Sequence, residues 1–256
     1  MILRDFIRQI EMLIPLKYAE SWDKTGFCIG RTDTDVNKVL LCVDVTYEAV
    51  DYAIDKQCNL IVSHHPLLFK PVERITSDTE IGNIILKLIE NNIAVYSIHT
   101  NFDSCYMGKL AGDMVGLKQA QIFVKNEDNP NVGIGICGAF DGSLKDLSEI
   151  IKDRFRLSHV RLYGNPDKRI SKVCMVPGSG KGMLSEVKRS GCDVLVTGDL
   201  GHHECLDALE MGISIVDATH YGLEKIFIDY MKNYFEQNIS DIEVLEIYEE
   251  DLCRII

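Results

Sequence analysis

At 256 residues the chain can bury one large core or two smaller ones. Hydrophobic residues make up 46% and charged residues 26%, which excludes a disordered chain, and no apolar run reaches the roughly 18 residues that a membrane helix needs. The net charge of −12 argues against nucleic acid as a partner, because non-specific phosphate contact requires clustered Lys and Arg.

The first residues, Met-Ile-Leu-Arg-Asp-Phe-Ile-Arg-Gln-Ile-Glu, carry charges that interrupt apolar positions at helical spacing. This predicts an amphipathic helix and not a signal peptide, and with it a cytoplasmic location. Short β-rich runs then alternate with helical patterns. Strands are expected over 39–45, 59–63, 94–98, 132–140, 170–176, 193–197 and 213–216. Helices are expected over 48–56, 80–91, 144–155, 182–190, 205–211 and 221–237, with one more strand over 242–248. Alternation of this kind predicts an α/β protein with mostly parallel, mixed sheets. Runs such as Asn59-Leu60-Ile61-Val62 are apolar on both faces, as strands covered by helices on each side must be.

The polar stretch 125–131, Lys-Asn-Glu-Asp-Asn-Pro-Asn, reads as a linker. It divides the chain into a first α/β lobe over 1–124 and a second over 125–218, with a helix and strand over 219–256 returning to the first. A faint internal echo supports two related lobes. Cys58-Asn59-Leu60-Ile61-Val62-Ser63 leads to His64-His65, and Cys192-Asp193-Val194-Leu195-Val196-Thr197 leads soon to His202-His203. The nine cysteines are scattered singly from Cys28 to Cys253 without a Cys-x-x-Cys pair. That argues against a zinc ribbon and fits thiols used as small hydrophobes in a reducing compartment.

Six of the seven histidines fall just beyond expected strands, where open α/β sheets place their ligand sites. They are His64, His65, His99, His202, His203 and His220. In Ser63-His64-His65-Pro66, neighbouring side chains on an extended strand point to opposite faces, which suits two adjacent ions better than one. Asp103 ends the run His99-Thr100-Asn101-Phe102-Asp103 and supplies either a helix cap or a carboxylate ligand. His220 and Glu224, four residues apart at the start of the last long helix, share one helical face, and Thr219 is placed to cap that helix. Three histidines and two carboxylates suit zinc, iron or manganese. Glu224 is the expected bridge between two divalent ions, and His99 and His203 are candidates for proton transfer. The turn Pro177-Gly178-Ser179-Gly180-Lys181-Gly182 fits an anion cradle or a plain tight turn equally well, and it lacks the spacing of a Walker motif. Trp22-Asp23-Lys24-Thr25-Gly26 fits a pocket-lining loop or a turn with one aromatic anchor.

With these motifs together and in this order, the whole chain resembles the dinuclear-metal family called GTP cyclohydrolase 1 type 2, or NIF-three-like. The resemblance lies in Ala19-Glu20-Ser21-Trp22-Asp23, Ser63-His64-His65-Pro66-Leu67, His99-Thr100-Asn101-Phe102-Asp103, Gly178-Ser179-Gly180, Thr197-Gly198-Asp199 and His220-Tyr221-Gly222-Leu223-Glu224. It implies that His65 and Asp103 serve one ion, His64 and His220 the other, and that Glu224 contacts both. It also implies two similar α/β lobes with the dinuclear site between them, a homohexamer, and the short form that lacks an inserted domain. Relatives usually carry Asn where Lys24 stands, Gly where Thr219 stands and a small hydroxyl residue where Leu223 stands. No expected ligand is altered by these departures.

The expected function is a metal-dependent hydrolase in which an activated water attacks a nucleotide or another small phosphorylated or cyclic substrate. The alternative is a non-catalytic metal-binding protein with a regulatory or partner-binding role. Nothing in the sequence selects guanine.

Overall fold

The computed structural model describes residues 1–250 and 252. Cys253, and the end of the segment expected to run to residue 256, lie outside them. In chain order the elements are α1 (Leu3–Leu13), β1 (Gly26–Ile29), β2 (Lys38–Cys42), α2 (Tyr47–Asp55), β3 (Leu60–Ser63), α3 (Glu80–Glu90), β4 (Ala94–Ser97), α4 (Thr100–Phe102), α5 (Gly108–Val115), β5 (Lys118–Lys125), β6 (Gly133–Ser143), α6 (Leu144–Arg154), β7 (Arg161–Tyr163), β8 (Arg169–Ser179), α7 (Leu184–Arg189), β9 (Val194–Gly198), α8 (His202–Glu210), β10 (Ser214–Asp217), α9 (His220–Glu224), α10 (Ile226–Asn238) and β11 (Glu243–Glu246). A π-helical turn, Asp103–Met107, connects α4 to α5.

This is a mixed α/β protein with two mixed sheets, and the chain divides into two compact units. The first gathers Met1–Phe102 and Phe227–Glu249. Its five-stranded sheet has the order β1-β4-β3-β2-β11, parallel throughout except for β1 against β4. β3 and β4 are buried at every position, which requires cover on both faces. One face packs Leu40, Ile61 and Val95 against Ala49, Val50 and Ala53 of α2 and Ile84, Ile85 and Leu88 of α3. Tyr96 points to the other face and reaches Glu11 of α1 through its hydroxyl, at 3.2 Å. α1 buries Leu3, Phe6, Ile7 and Ile10 along one stripe, and Phe6 meets Phe235 of α10 at 5.1 Å. Thr46 and Thr79 cap α2 and α3 by accepting from Ala49 N and Gly82 N.

The second unit takes Asp103–Ile226. Its six-stranded sheet has the order β5-β6-β8-β9-β10-β7 and is parallel only across β8, β9 and β10. The polar stretch expected as a linker is instead a hairpin tip. β5 and β6 pair antiparallel up to Lys125 opposite Gly133, and the polar residues solvate the turn between them. β5, counted in the first lobe from sequence, therefore belongs to the second sheet. α7 and α8 contribute Val187, Cys205 and Ala208 to the core beside Cys174, Leu195 and Ile215.

The two units repeat one topology. β1-β2-α2-β3-α3-β4 gives the order β1-β4-β3-β2, with the first strand antiparallel at the edge. β7-β8-α7-β9-α8-β10 gives β7-β10-β9-β8 in the same senses. The echo in the sequence thus falls on corresponding central strands, β3 and β9. All described cysteines are free thiols, and burial pushes Cys42 and Cys174 well above the ordinary thiol range.

Candidate metal centre

Each unit collects its polar residues beyond the carboxyl ends of its parallel strands. In the first unit these follow β2, β3 and β4. His64 and His65 stand just past Ser63, the last ladder residue of β3, with their backbone amides still bonded to Cys42 O and Val43 O. Ser63 Oγ donates to His65 O at 2.8 Å and meets Ser97 Oγ at 3.0 Å, so the paired ends of β3 and β4 hold this segment. The two imidazole rings are 5.1 Å apart and do not fall on opposite faces as regular strand geometry predicts. The chain has already left the sheet there, turning toward Pro66.

His64 is fully buried, with ring contacts to Phe102 and Phe227, and its Nδ1 lies 2.8 Å from the carbonyl oxygen of Ile98. A carbonyl oxygen can only accept, so Nδ1 carries the hydrogen and Nε2 carries the lone pair. His65 Nδ1 lies 2.9 Å from Asp44 Oδ1, and His99 Nδ1 lies 2.8 Å from Asp23 Oδ1. The same argument directs the Nδ1 hydrogen of each ring to its carboxylate and leaves Nε2 as the other ring nitrogen. His64, His65 and His99 each bring a ligand atom within 4.8 Å of the others. Asp23 also accepts from Thr100 N at 3.0 Å and Thr100 Oγ1 at 2.5 Å. Burial alone would push this carboxyl up, but the hydrogen bonds from His99 and Thr100 more than offset it and hold it at about 2.

In the second unit His220 and Glu224 lie on α9, following β10. His220 Nδ1 is 2.8 Å from Asp199 Oδ2, just past the end of β9, and His220 Nε2 is 3.0 Å from Glu224 Oε2. Glu224 is buried, and the glycine turn at the end of β8 explains how it fits. A Cβ on Gly178 would stand 2.2 Å from Glu224 Oε1, and the backbone there has φ +76°. This turn is a close backbone approach to a carboxylate. Gly198 has a similar role, because a Cβ there would meet His220 N at 2.3 Å. Thr219 caps α9 as expected, accepting from Gly222 N at 3.0 Å. Its own backbone takes φ 61°, ψ 156°, a region that β-branched residues rarely enter. The approach to α9 is anchored by Asp217, whose buried carboxylate accepts from Arg161 at 2.5 Å and from Thr219 N at 3.0 Å. Asp103 does not cap a regular helix. It opens the π-helical turn, a form of backbone that often marks functional sites.

The structure therefore brings His64, His65 and His99 together in one unit and His220 with Glu224 in the other. His203 lies on the exposed first turn of α8, and the ring contact described for it is with His202, at 5.3 Å. Asp44, Asp199 and the pairing of Asp23 with His99 were not assigned roles from sequence. The available signal was an acidic residue at or just beyond the end of an apolar strand, as in Val43-Asp44-Val45 and Thr197-Gly198-Asp199. Imidazole nitrogens and carboxylate oxygens gathered in this way form a donor set that could hold a divalent metal ion.

A family model described as Duf34/NIF3 (NGG1p interacting factor 3) matches residues 1–251. The chain belongs to the DUF34/NIF3 family. A GTP cyclohydrolase 1 type 2 homolog of Clostridium acetobutylicum is 35% identical, over 87% of this chain and 85% of its own. The GTP cyclohydrolase 1 type 2 of Helicobacter pylori strain J99 is 31% identical, over 88% of each chain. A crystal structure of a Staphylococcus aureus protein matches all of this DUF34/NIF3 chain and 99% of its own, with a TM-score of 0.90 and 27% sequence identity.

Proposed function

We propose that this DUF34/NIF3 protein is a metal-dependent hydrolase of the GTP cyclohydrolase 1 type 2 kind, acting on a nucleotide or another small phosphorylated or cyclic compound. The observation that carries the proposal is the common setting of its histidines. His64, His65, His99 and His220 each set Nδ1 against an oxygen, which leaves Nε2 as the nitrogen for a metal or a proton, and in His220 that nitrogen faces Glu224 Oε2 at 3.0 Å. Structural histidines at strand ends have no need of four such matched arrangements. His64, His65, Asp103, His220 and Glu224 would hold two divalent ions of zinc, iron or manganese, with Glu224 as the shared carboxylate. When bound, a pair of such ions supplies Lewis acidity and lowers the pKa of a water molecule.

The rest of the chemistry belongs to the chain. Asp44 and Asp199 orient the rings of His65 and His220 and raise their basicity. His99, held by Asp23, is the proton carrier at Nε2, and His203, on the exposed first turn of α8, is a second proton-transfer candidate. The family resemblance also suggests a homohexamer, and the amphipathic start of the chain with its scattered thiols suggests the cytoplasm. Among the described residues no helix is long and apolar enough to cross a membrane.

The test is elemental analysis of natively purified protein, followed by a hydrolase substrate screen with that metal restored. About two ions per chain and turnover that is lost in Glu224→Gln are expected. Full turnover of a confirmed substrate by metal-replete Glu224→Gln would overturn the mechanism. Weakly held metal and no turnover would favour a non-catalytic, metal-responsive binding protein instead.

A further inference from the structure

Two large aromatic side chains stand at the rim of the histidine cluster without the burial their size calls for. Trp22 is 53% exposed and Phe69 is 47% exposed. Their rings are 6.0 Å apart and inclined at 73°, and they contact the His99 ring at 6.0 and 6.4 Å. His99 in turn meets His64 and His65 at 5.3 and 5.4 Å. Within the first unit the aromatic pair therefore adjoins His99 and, through it, His64 and His65.

The backbone on both sides of Trp22 is fixed. Glu20 N donates to Thr100 Oγ1 at 2.9 Å, Asp23 N donates to Glu20 O at 2.9 Å, and the Asp23 carboxylate is held by His99 and Thr100. The chain thus spends a buried carboxylate on holding an indole in water. Phe69 belongs to the connection over 64–79 between β3 and α3, far longer than the roughly two to six residues usual for such a loop. From Phe69 the same connection lines a cavity of about 490 Å³ that also takes in Lys70, Glu73 and Arg74, the last of these 3.9 Å from Asp78. Lys70, next to Phe69 in this wall, is the cation placed to meet an anionic group on a ligand, on a chain whose overall charge would repel one.

We infer that Trp22 and Phe69 form an aromatic platform that selects a substrate with a flat heterocyclic ring and an anionic group, such as a nucleotide, and presents that ring to the histidine cluster. The ring stacks on the indole or phenyl face, a contact that tolerates any base because every base has a π face. Lys70 attracts the anionic group. This rests on the hydrolase reading and deepens it by assigning the residues that hold the substrate ring, and it is tested by binding, independently of turnover.

Trp22 is the only tryptophan in the chain, so its emission reports the platform directly. Metal-loaded, full-length protein is titrated with GMP, AMP and UMP, and with ribose 5-phosphate as the control that lacks a flat ring. Saturable quenching by at least one nucleotide is expected, with ribose 5-phosphate at least about tenfold weaker. Equilibrium dialysis should show Trp22→Leu and Phe69→Leu weakening nucleotide binding about tenfold, with Trp22→Phe and Phe69→Tyr retaining most of it. Lys70→Gln should weaken GMP but not guanosine. Zinc content, measured on the same samples, reports the metal proposal separately and should be unchanged by the aromatic substitutions. Equal affinity for ribose 5-phosphate, no binding of any of the three nucleotides, or unaltered affinity in both leucine variants would overturn the inference. So would emission that responds to protein concentration and not to nucleotide, since that would mark the pair as a contact between copies of the chain.

Discussion

An imidazole whose Nδ1–H is committed to an oxygen can offer its Nε2 lone pair in one direction only. The four histidines set this way are not equivalent, because His64 donates to a backbone carbonyl while His65 and His220 face carboxylates. A carboxylate partner raises ligand basicity more than a carbonyl does, and it can be altered without touching the ligand. Asp44→Asn and Asp199→Asn are therefore expected to lower zinc affinity about 10- to 100-fold while leaving the thermal midpoint of the metal-free protein nearly unchanged. Competition against a chelating indicator dye measures the first, and a melting curve in excess chelator the second. Wild-type affinity in both variants would show that these carboxylates do not support ligands. Glu224 is constrained differently, by the absence of a side chain opposite it. In Gly178→Ala the new methyl group would meet Oε1 at a backbone φ of +76°, so this single carbon is expected to reduce zinc affinity and to destabilise the fold by more than about 1 kcal/mol. Urea unfolding and the same dye competition read both effects.

At the level of the element, the turn from β10 into α9 combines a helix cap with a strained backbone. Thr219 Oγ1 caps Gly222 N, yet φ 61°, ψ 156° is a conformation that glycine adopts freely and a β-branched residue does not. Glycine here removes strain on the order of 1–3 kcal/mol and gives up only a few tenths to about 1 kcal/mol of capping. Alanine loses the cap and keeps the strain. Thr219→Gly is thus expected to be at least about 1 kcal/mol more stable than Thr219→Ala in urea unfolding, and the reverse order would show that the cap dominates. Elements of this kind separate what was legible in the sequence from what was not. β3, β4, β9 and β10 are apolar on both faces and end in histidine or aspartate, so both their existence and their chemical ends could be read directly. β1 is four residues long, and β5 is an exposed hairpin arm whose burial shows no clean alternation, so neither stands out from loop by periodicity. The π-helical turn at Asp103 has no residue pattern of its own. The pairing of Asp44 with His65 and of Asp199 with His220 depends on neighbouring parallel strands ending level, which only the strand order supplies. That order is repeated in both units, so β3 and β9 end at matching points. Ser63 O accepts from Ile98 N in one unit as Thr197 O accepts from Ala218 N in the other. By this register His65 corresponds to Asp199 and Thr100 to His220. A duplicated scaffold has thus been given different donors at equivalent places.

At the scale of the whole molecule, acid stability follows from the same buried hydrogen bonds. The Asp23 carboxyl is held at about 2 in the folded chain, against an ordinary value of 3.8. Its folded pKa is the lower one, so the stabilisation is fully present above about pH 4 and is lost as the pH falls through about 2. A shift of this size corresponds to about 2 kcal/mol at most, and partial access of solvent to the surrounding loop reduces it to on the order of 1–2 kcal/mol. Asparagine at this position keeps the shape and carries no charge at any pH. The stability difference between wild type and Asp23→Asn, measured by urea unfolding in chelator, should therefore be largest near pH 5 and should shrink by about 1 kcal/mol by pH 3. Because the carboxylate also fixes His99 and the Trp22 loop, its protonation in the folded chain near pH 2, and not the change between pH 5 and 3, should redshift and broaden the tryptophan emission of the wild type as the indole loses its fixed setting. A difference between wild type and variant that does not change with pH would mean that Asp23 contributes through packing alone. The clamp on Trp22 would then have no electrostatic component to release.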